Sequence, residues 1–218
     1  TKALTNNYDS PETSVNLLAV DDKSVIFEVR VPLTQLKIEA ISVDQGNFMK
    51  VTIPDWVETV ESGFPQLPLA IEQLGVPFGS KIILNVSPGK THIYTLPGPI
   101  LPVVTQEIDQ LALPDENGIV ELGDPQFTYL TEPEIYQDGA DYPGTLAEIT
   151  NDGIVRQQRV VGVAVYPIQY LPKLNQLLVY ETIQVEVSFE NSEFSKDIVA
   201  SKESKAYETF FEGTIPEY

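Results

Sequence analysis

The 218-residue sequence contains no cysteine, which removes disulfide bonds and thiolate chemistry together. Histidine occurs once, as His92, so a zinc site has no set of imidazole or thiolate ligands to draw on. A Ser–His–Asp triad would have to be built on that single ring, which lies in an apparent strand and reads as structural. Basic residues are scarce: 13 Lys and Arg stand against 32 Asp and Glu, a formal net charge of −19. Phosphate contacts need a basic face, so nucleic acid is disfavoured as a partner, and an anionic membrane surface with it. No apolar run approaches the roughly 20 residues of a membrane helix, and no membrane span is expected. No glycine-rich phosphate loop follows a strand and opens a helix. The sequence opens at Thr1 with neither Met nor a signal-peptide pattern, as a processed or a shortened chain would.

What is present points to strands. Apolar residues make up 42% and charged residues 21%, a balance that supports one sizeable core. Strands are expected over Val15–Val20 and Ser24–Val31, joined by a tight turn at Asp21-Asp22-Lys23, then over Leu36–Val43 and Phe48–Ile53. Gly63-Phe64-Pro65-Gln66-Leu67-Pro68 is expected to cross in extended form, because its prolines cannot donate to a ladder. It leads into a strand at Leu69–Val76. Lys81–Val86 and Thr91–Leu96 read as a hairpin turned by Pro88-Gly89. Thr145–Thr150 and Ile154–Tyr166 read as another, turned by Asn151-Asp152-Gly153. Leu177–Phe189 is the longest expected strand, and helix signals are confined to a short segment at 203–212. The fold class is all-β: an antiparallel β-sandwich of two packed sheets, with long acidic loops and a short C-terminal helix.

Residues 97–145 differ from the rest. Seven prolines punctuate this weakly periodic stretch, and between Lys90 and Arg156 lie 12 acidic residues and no basic one. These are either solvated acidic loops or a contact face for a basic partner. Asp138-Gly-Ala-Asp141 and Asp115-Glu116-Asn117 offer oxygen ligands for calcium, but neither has the Asp-x-Asp-x-Asp-Gly spacing of a calcium loop, and both read as turns. No carboxylate pair stands out for glycoside hydrolysis. No catalytic residue, metal site or cofactor is assigned.

The ordered motifs carry a resemblance. Pro167-Ile-Gln169-Tyr170-Leu-Pro172, with Leu177 five residues on and an alternating strand behind it, resembles the end of the prodomain in gingipain-type cysteine peptidases. Gly63-x-Pro65-x-Leu67-Pro68 is similar to the Gly-x-Pro-x-Leu-Pro signature of that family, and the strand pair Val15–Val31, the stretch Leu36–Ile53 and the segment Tyr207–Phe211 fall in the family's order. The resemblance implies a non-catalytic propeptide. It would be a β-sandwich that assists folding of a caspase-fold cysteine peptidase domain and inhibits it by laying a loop across the active-site cleft until proteolytic release. Its partner would be the cognate catalytic domain, and its place the secretory route, cell surface or periplasm. The domain division that follows is a flexible segment 1–14, a sandwich 15–189, and a linker with a short helix over 190–218.

In the best-known members of that family the residue entering the specificity pocket is basic. Here the corresponding region, Gln106-Glu107-Ile108-Asp109-Gln110, contains no basic residue. Asp109 is the expected pocket residue and Gln110 the alternative; a solvated loop role for Asp109 is the competing reading. Two other function classes stay open at this stage: a structural repeat domain of a surface filament, which would self-associate, and a sugar-binding module. Trp56, the sole tryptophan, could stack on a sugar in a carbohydrate-binding or adhesin-type sandwich module, or it could simply be a core-edge aromatic beside Pro54.

Overall fold

A computed structural model describes residues 14–21, 23–107, 126–156 and 158–190. The strands run β1 (Val15–Val20), β2 (Ser24–Arg30), β3 (Lys37–Val43), β4 (Gly46–Thr52), β5 (Val57–Glu58), β6 (Pro68–Val76), β7 (Lys81–Pro88) and β8 (Thr91–Thr95). After them come β9 (Thr105–Glu107), β10 (Gln126–Thr128), one helical turn α1 (Pro133–Tyr136), β11 (Ala147–Val155), β12 (Gln158–Val165), β13 (Ile168–Leu171), β14 (Gln176–Tyr180) and β15 (Thr182–Glu190). Every ladder between these strands is antiparallel, as an all-β sandwich requires. Among the described residues no helix is long and apolar enough to cross a membrane.

Two four-stranded sheets, ordered β1-β2-β15-β7 and β11-β12-β6-β5, pack face to face. Val25, Phe27 and Val29 of β2, Ile183, Val185 and Val187 of β15, and Val161, Val163 and Val165 of β12 are buried in this first core. Each set is spaced by two residues, so one face of each strand is apolar and must be covered. A second core lies beside it. Met49 and Val51 of β4, Ile168 and Tyr170 of β13, and Leu177 and Val179 of β14 meet Leu67, Ile100, Ile135 and Tyr142 there. Trp56 is half-buried where the two cores adjoin, and its indole N–H donates to Ser14 Oγ at 2.9 Å.

The expected hairpin between Lys81–Val86 and Thr91–Leu96 does not form. β7 pairs with β15 and β8 pairs with β14, in different sheets. The chain runs straight on through Pro88-Gly89. Its partner does the same through Glu181, so one antiparallel ribbon extends from Lys81 opposite Glu190 to Thr95 opposite Gln176 without a slip in register. Gly89 N–H donates to the Thr182 carbonyl (2.8 Å) and Glu181 N–H to the Lys90 carbonyl (2.7 Å), which keeps the ladder closed across the passage from one sheet to the next. A Cβ on Gly89 would stand 2.3 Å from Thr182 Oγ1 and 3.1 Å from its carbonyl oxygen. The hydroxyl could rotate away; the carbonyl could not, so the glycine is required by close approach rather than by a turn.

A second turn signal also misleads. Asn151-Asp152-Gly153 lies within β11, opposite Gly162, Val161 and Val160. The chain reverses between Val155 and Gln158 instead, which lie opposite one another, with Arg156 at φ +59. Asn151 is spent on packing: its side chain lies over Gly162, where a Cβ would fall 1.9 Å from its Oδ1. Asp152 forms an ion pair with Arg159 at 2.6 Å, which holds the Asp152 carboxyl below its usual range.

Candidate functional site

The family-like motifs fall in and around the second core, and each has a mechanical explanation. Pro65 and Pro102 lie opposite one another in an antiparallel bridge. The bonds flank them: Gln66 N–H donates to the Leu101 carbonyl (2.8 Å) and Val103 N–H to the Phe64 carbonyl (2.7 Å). The prolines therefore occupy the one kind of opposed pair in which neither N–H is needed. Gly63 takes φ +85, a backbone that disfavours a side chain, and its N–H donates to Val103. Thr59 Oγ1 accepts from Leu67 N–H (3.0 Å) and donates to the Pro65 carbonyl (2.8 Å), clamping the crossing segment on both sides of Gln66.

Gln169 explains the other motif. It is buried, its amide group donates to the carbonyls of Thr145 and Tyr166 (both 2.9 Å), and its oxygen accepts from Gly144 N–H (3.0 Å). Tyr170 exchanges backbone bonds with Tyr142 (2.7 and 3.0 Å) while its hydroxyl donates to Asn175 Oδ1 at 3.2 Å. Asn175 takes φ +49 at the end of the 3-10 turn Pro172–Leu174, so β13 and β14 form a tight hairpin. Tyr136 donates to the Ile100 carbonyl (2.8 Å), tying α1 to the proline-rich segment.

None of these groups is set up for chemistry. Burial pushes the Tyr136, Tyr142, Tyr166 and Tyr170 phenols up, away from any role as acids or bases near neutrality. For Tyr166 the bond it donates to Glu148 (2.5 Å) adds to that effect. The single histidine, His92, contacts Glu181 at 3.2 Å, and this bond is the main reason the Glu181 carboxyl lies below its usual range. Among the described residues no three His, Cys, Asp or Glu side chains gather closely enough to hold a metal ion.

Beyond Val103 the chain becomes β9 and pairs with β10: Thr105 opposite Thr128, Gln106 opposite Phe127, Glu107 opposite Gln126. The chain thus departs at Glu107 and re-enters at Gln126 side by side. Of the residues expected to contact a partner, Gln106 and Glu107 lie on β9, whereas Ile108, Asp109 and Gln110 lie outside the described residues. Three large apolar side chains are exposed near this stem, Val60 (86%), Phe127 (60%) and Leu130 (49%). Nothing in the sequence marks them, because isolated apolar residues among polar ones give no periodic signal.

A family model described as Propeptide_C25 matches residues 5–212. The chain belongs to that family. It is a non-catalytic propeptide of a peptidase. Lys-gingipain of Porphyromonas gingivalis is 23% identical over 168 residues, which cover 77% of this chain and 9% of that protein. Gingipain R1 of the same organism is 26% identical over 189 residues, covering 87% of this chain and 18% of the relative. The propeptide therefore spans less than a fifth of the curated relatives it matches. Two solved structures share its fold. A chain of the P. gingivalis RgpB pro- and mature-domain complex gives a TM-score of 0.71 at 20% identity, covering 95% of this chain and 99% of that one. A chain from a study of zymogenic latency in P. gingivalis gingipain K gives 0.62 at 21% identity, covering 84% and 96%.

Proposed function

We propose that this propeptide acts as intramolecular chaperone and inhibitor of a secreted or surface-exposed, caspase-fold cysteine peptidase domain, and is released by proteolysis. The observation that carries this is the family match across 5–212, joined to a fold shared with a chain from a complex of pro- and mature domains. The physical role is pre-organisation. A scaffold that is already folded offers a contact segment at little further entropic cost, and the bound segment avoids the geometry that the transition state demands. The contact segment is Gln106–Gln110, which starts on β9, with Asp109 entering the specificity pocket. An acidic plug suits a pocket with a basic floor, so the cognate enzyme would not share the preference for Arg or Lys. Nothing favours the carbohydrate-binding alternative: Trp56 is half-buried at the junction of the cores, with its N–H engaged by Ser14.

The test is inhibition of the catalytic domain from the same precursor by the 218-residue chain added in trans. The native chain inhibits, and Asp109→Ala weakens inhibition by about tenfold or more, the scale of a lost hot-spot contact. Unchanged inhibition by Asp109→Ala removes this residue from the pocket, and no inhibition by the native chain removes the inhibitor role.

A further inference from the structure

Val60 lies between β5 and the turn at 61–64 that opens the crossing segment, and is more exposed than any other large apolar side chain described. That turn is bound to its neighbours. Ser62 Oγ pairs with Thr105 Oγ1 at 2.7 Å at the start of β9, and Glu132 N–H donates to the Gly63 carbonyl at 2.9 Å, two residues beyond Leu130. Thr105 lies opposite Thr128, next to Phe127. Val60, Phe127 and Leu130 are therefore carried by three adjoining segments at the foot of the β9–β10 stem. The charged residues bordering these segments are Glu61, Glu132 and Glu134, and the sequence supplies no basic residue anywhere between Lys90 and Arg156.

We propose that Val60, Phe127 and Leu130 form an apolar docking patch, rimmed by Glu61, Glu132 and Glu134, that seats the peptidase catalytic domain through an apolar socket with a basic border. The proposal rests on the propeptide reading above and assigns a second contact to the same partner, separate from the contact segment. An apolar centre with a charged rim is the usual build of a protein interface, and a cluster of exposed large side chains is uncommon on a surface that meets only water. Charge selects the occupant. A second copy would bring its own glutamates against these in an isologous contact, with a net charge of −19 on each chain, whereas a basic border is attracted. Position agrees, because the stem starts the segment proposed to enter the cleft.

Binding of the mature catalytic domain to the 218-residue chain, followed by surface plasmon resonance, tests the patch. The triple variant Val60→Ser, Phe127→Ser, Leu130→Ser weakens binding by about tenfold or more, chiefly through faster dissociation, with its melting temperature unchanged. The pair Glu61→Lys, Glu134→Lys, read separately, slows association and flattens its dependence on salt. Native-like binding by the triple variant and native-like association by the charge pair overturn the patch while the propeptide reading stands. A native chain that fails to bind overturns both. A native dimer in sedimentation that the triple variant abolishes makes the patch a self-contact and also overturns the proposal.

Discussion

In the first core Val25, Phe27 and Val29 pack with Val161, Val163 and Val165 through strands that alternate residue by residue; the second core is closed by Leu67, Ile100, Ile135 and Tyr142, which sit on segments with almost no alternation. The first is held by area. Its valines and isoleucines could be exchanged among themselves at small cost, because volume and pattern decide. The second is held by particular bonds: Thr59 across the crossing segment, Gln169 across Gly144–Tyr166, and Tyr136 on Ile100. The signature residues Gly63, Pro65, Gln169 and Tyr170 belong to the bonded half or to the segment that crosses it, and the β9–β10 stem leaves from that half. A scaffold that must present one segment in one place needs its support fixed by directional contacts, which area alone does not supply.

The largest expected effect breaks the second core at its centre. Tyr170 is the largest fully buried side chain described, and Tyr170→Ala removes its packing together with the bond to Asn175. The expected loss is about 3–5 kcal/mol, the range for deleting a buried aromatic side chain, measured by urea unfolding. A loss below about 1 kcal/mol would mean that the second core contributes little and that the comparison is wrong.

The next effect separates bonds from area. Gln169→Leu keeps the volume roughly constant but leaves Gly144 N–H and the carbonyls of Thr145 and Tyr166 without their partner. Only the Tyr166 carbonyl is left in buried surroundings; Gly144 is exposed and Thr145 half-buried, so water can serve them, and a loss of about 1–3 kcal/mol is expected. Native-state hydrogen exchange should quicken at 142–146 before it changes on β2, β12 or β15. Uniform quickening across both cores would show that they unfold as one unit.

The first core was largely legible in the sequence. β1 and β2 were read to within a residue, and the Asp21 turn is held as expected, with the Asp21 carboxylate accepting from Lys23 and Ser24 N–H. Failures came where the backbone does something that residue type does not announce. Pro88-Gly89 has the composition of a reversal, yet Gly89 serves close approach in a ribbon that runs straight on. Asn151-Asp152-Gly153 has the composition of a hairpin tip, yet a bulge after Ile149 and the Asn151–Gly162 packing absorb it into β11. Local turn chemistry lost in the first case to pairing with the distant strands β14 and β15, and in the second to a β11–β12 hairpin that reverses further along the chain. At the candidate site, the sequence pointed to Gln106 and Glu107, which the stem carries, but it was silent on Val60, Phe127 and Leu130, because exposure is a tertiary property.

The smallest effect tests whether the first core is as indifferent to detail as its valines imply. Glu72 lies on β6 between Ala70 and Leu74, both of which belong to that core, and opposite Val163, which is fully buried. The alternation of β6 puts its carboxylate on the inward face, partly buried, and it takes part in none of the ion pairs found among the described residues. Loss of solvation pushes its pKa up, and the Gln73 backbone N–H offsets only part of the shift. The sign follows by linkage: the folded state holds the proton more tightly than the unfolded chain. The contribution of Glu72 to stability is therefore fully present below the unfolded value of about 4.3 and is lost as pH rises through the raised folded value, where the carboxylate ionises against the apolar face. Glu72→Gln keeps the shape and removes the charge, so it should stabilise the fold at pH 7 by roughly 1 kcal/mol, the lower end of what an imperfectly solvated polar group costs. The gain should vanish near pH 3, where the native residue is neutral. Thermal melting of both proteins at the two pH values decides it. An equal shift at both would assign the effect to packing, and no shift at pH 7 would mean that water reaches Glu72 from the free side of β6.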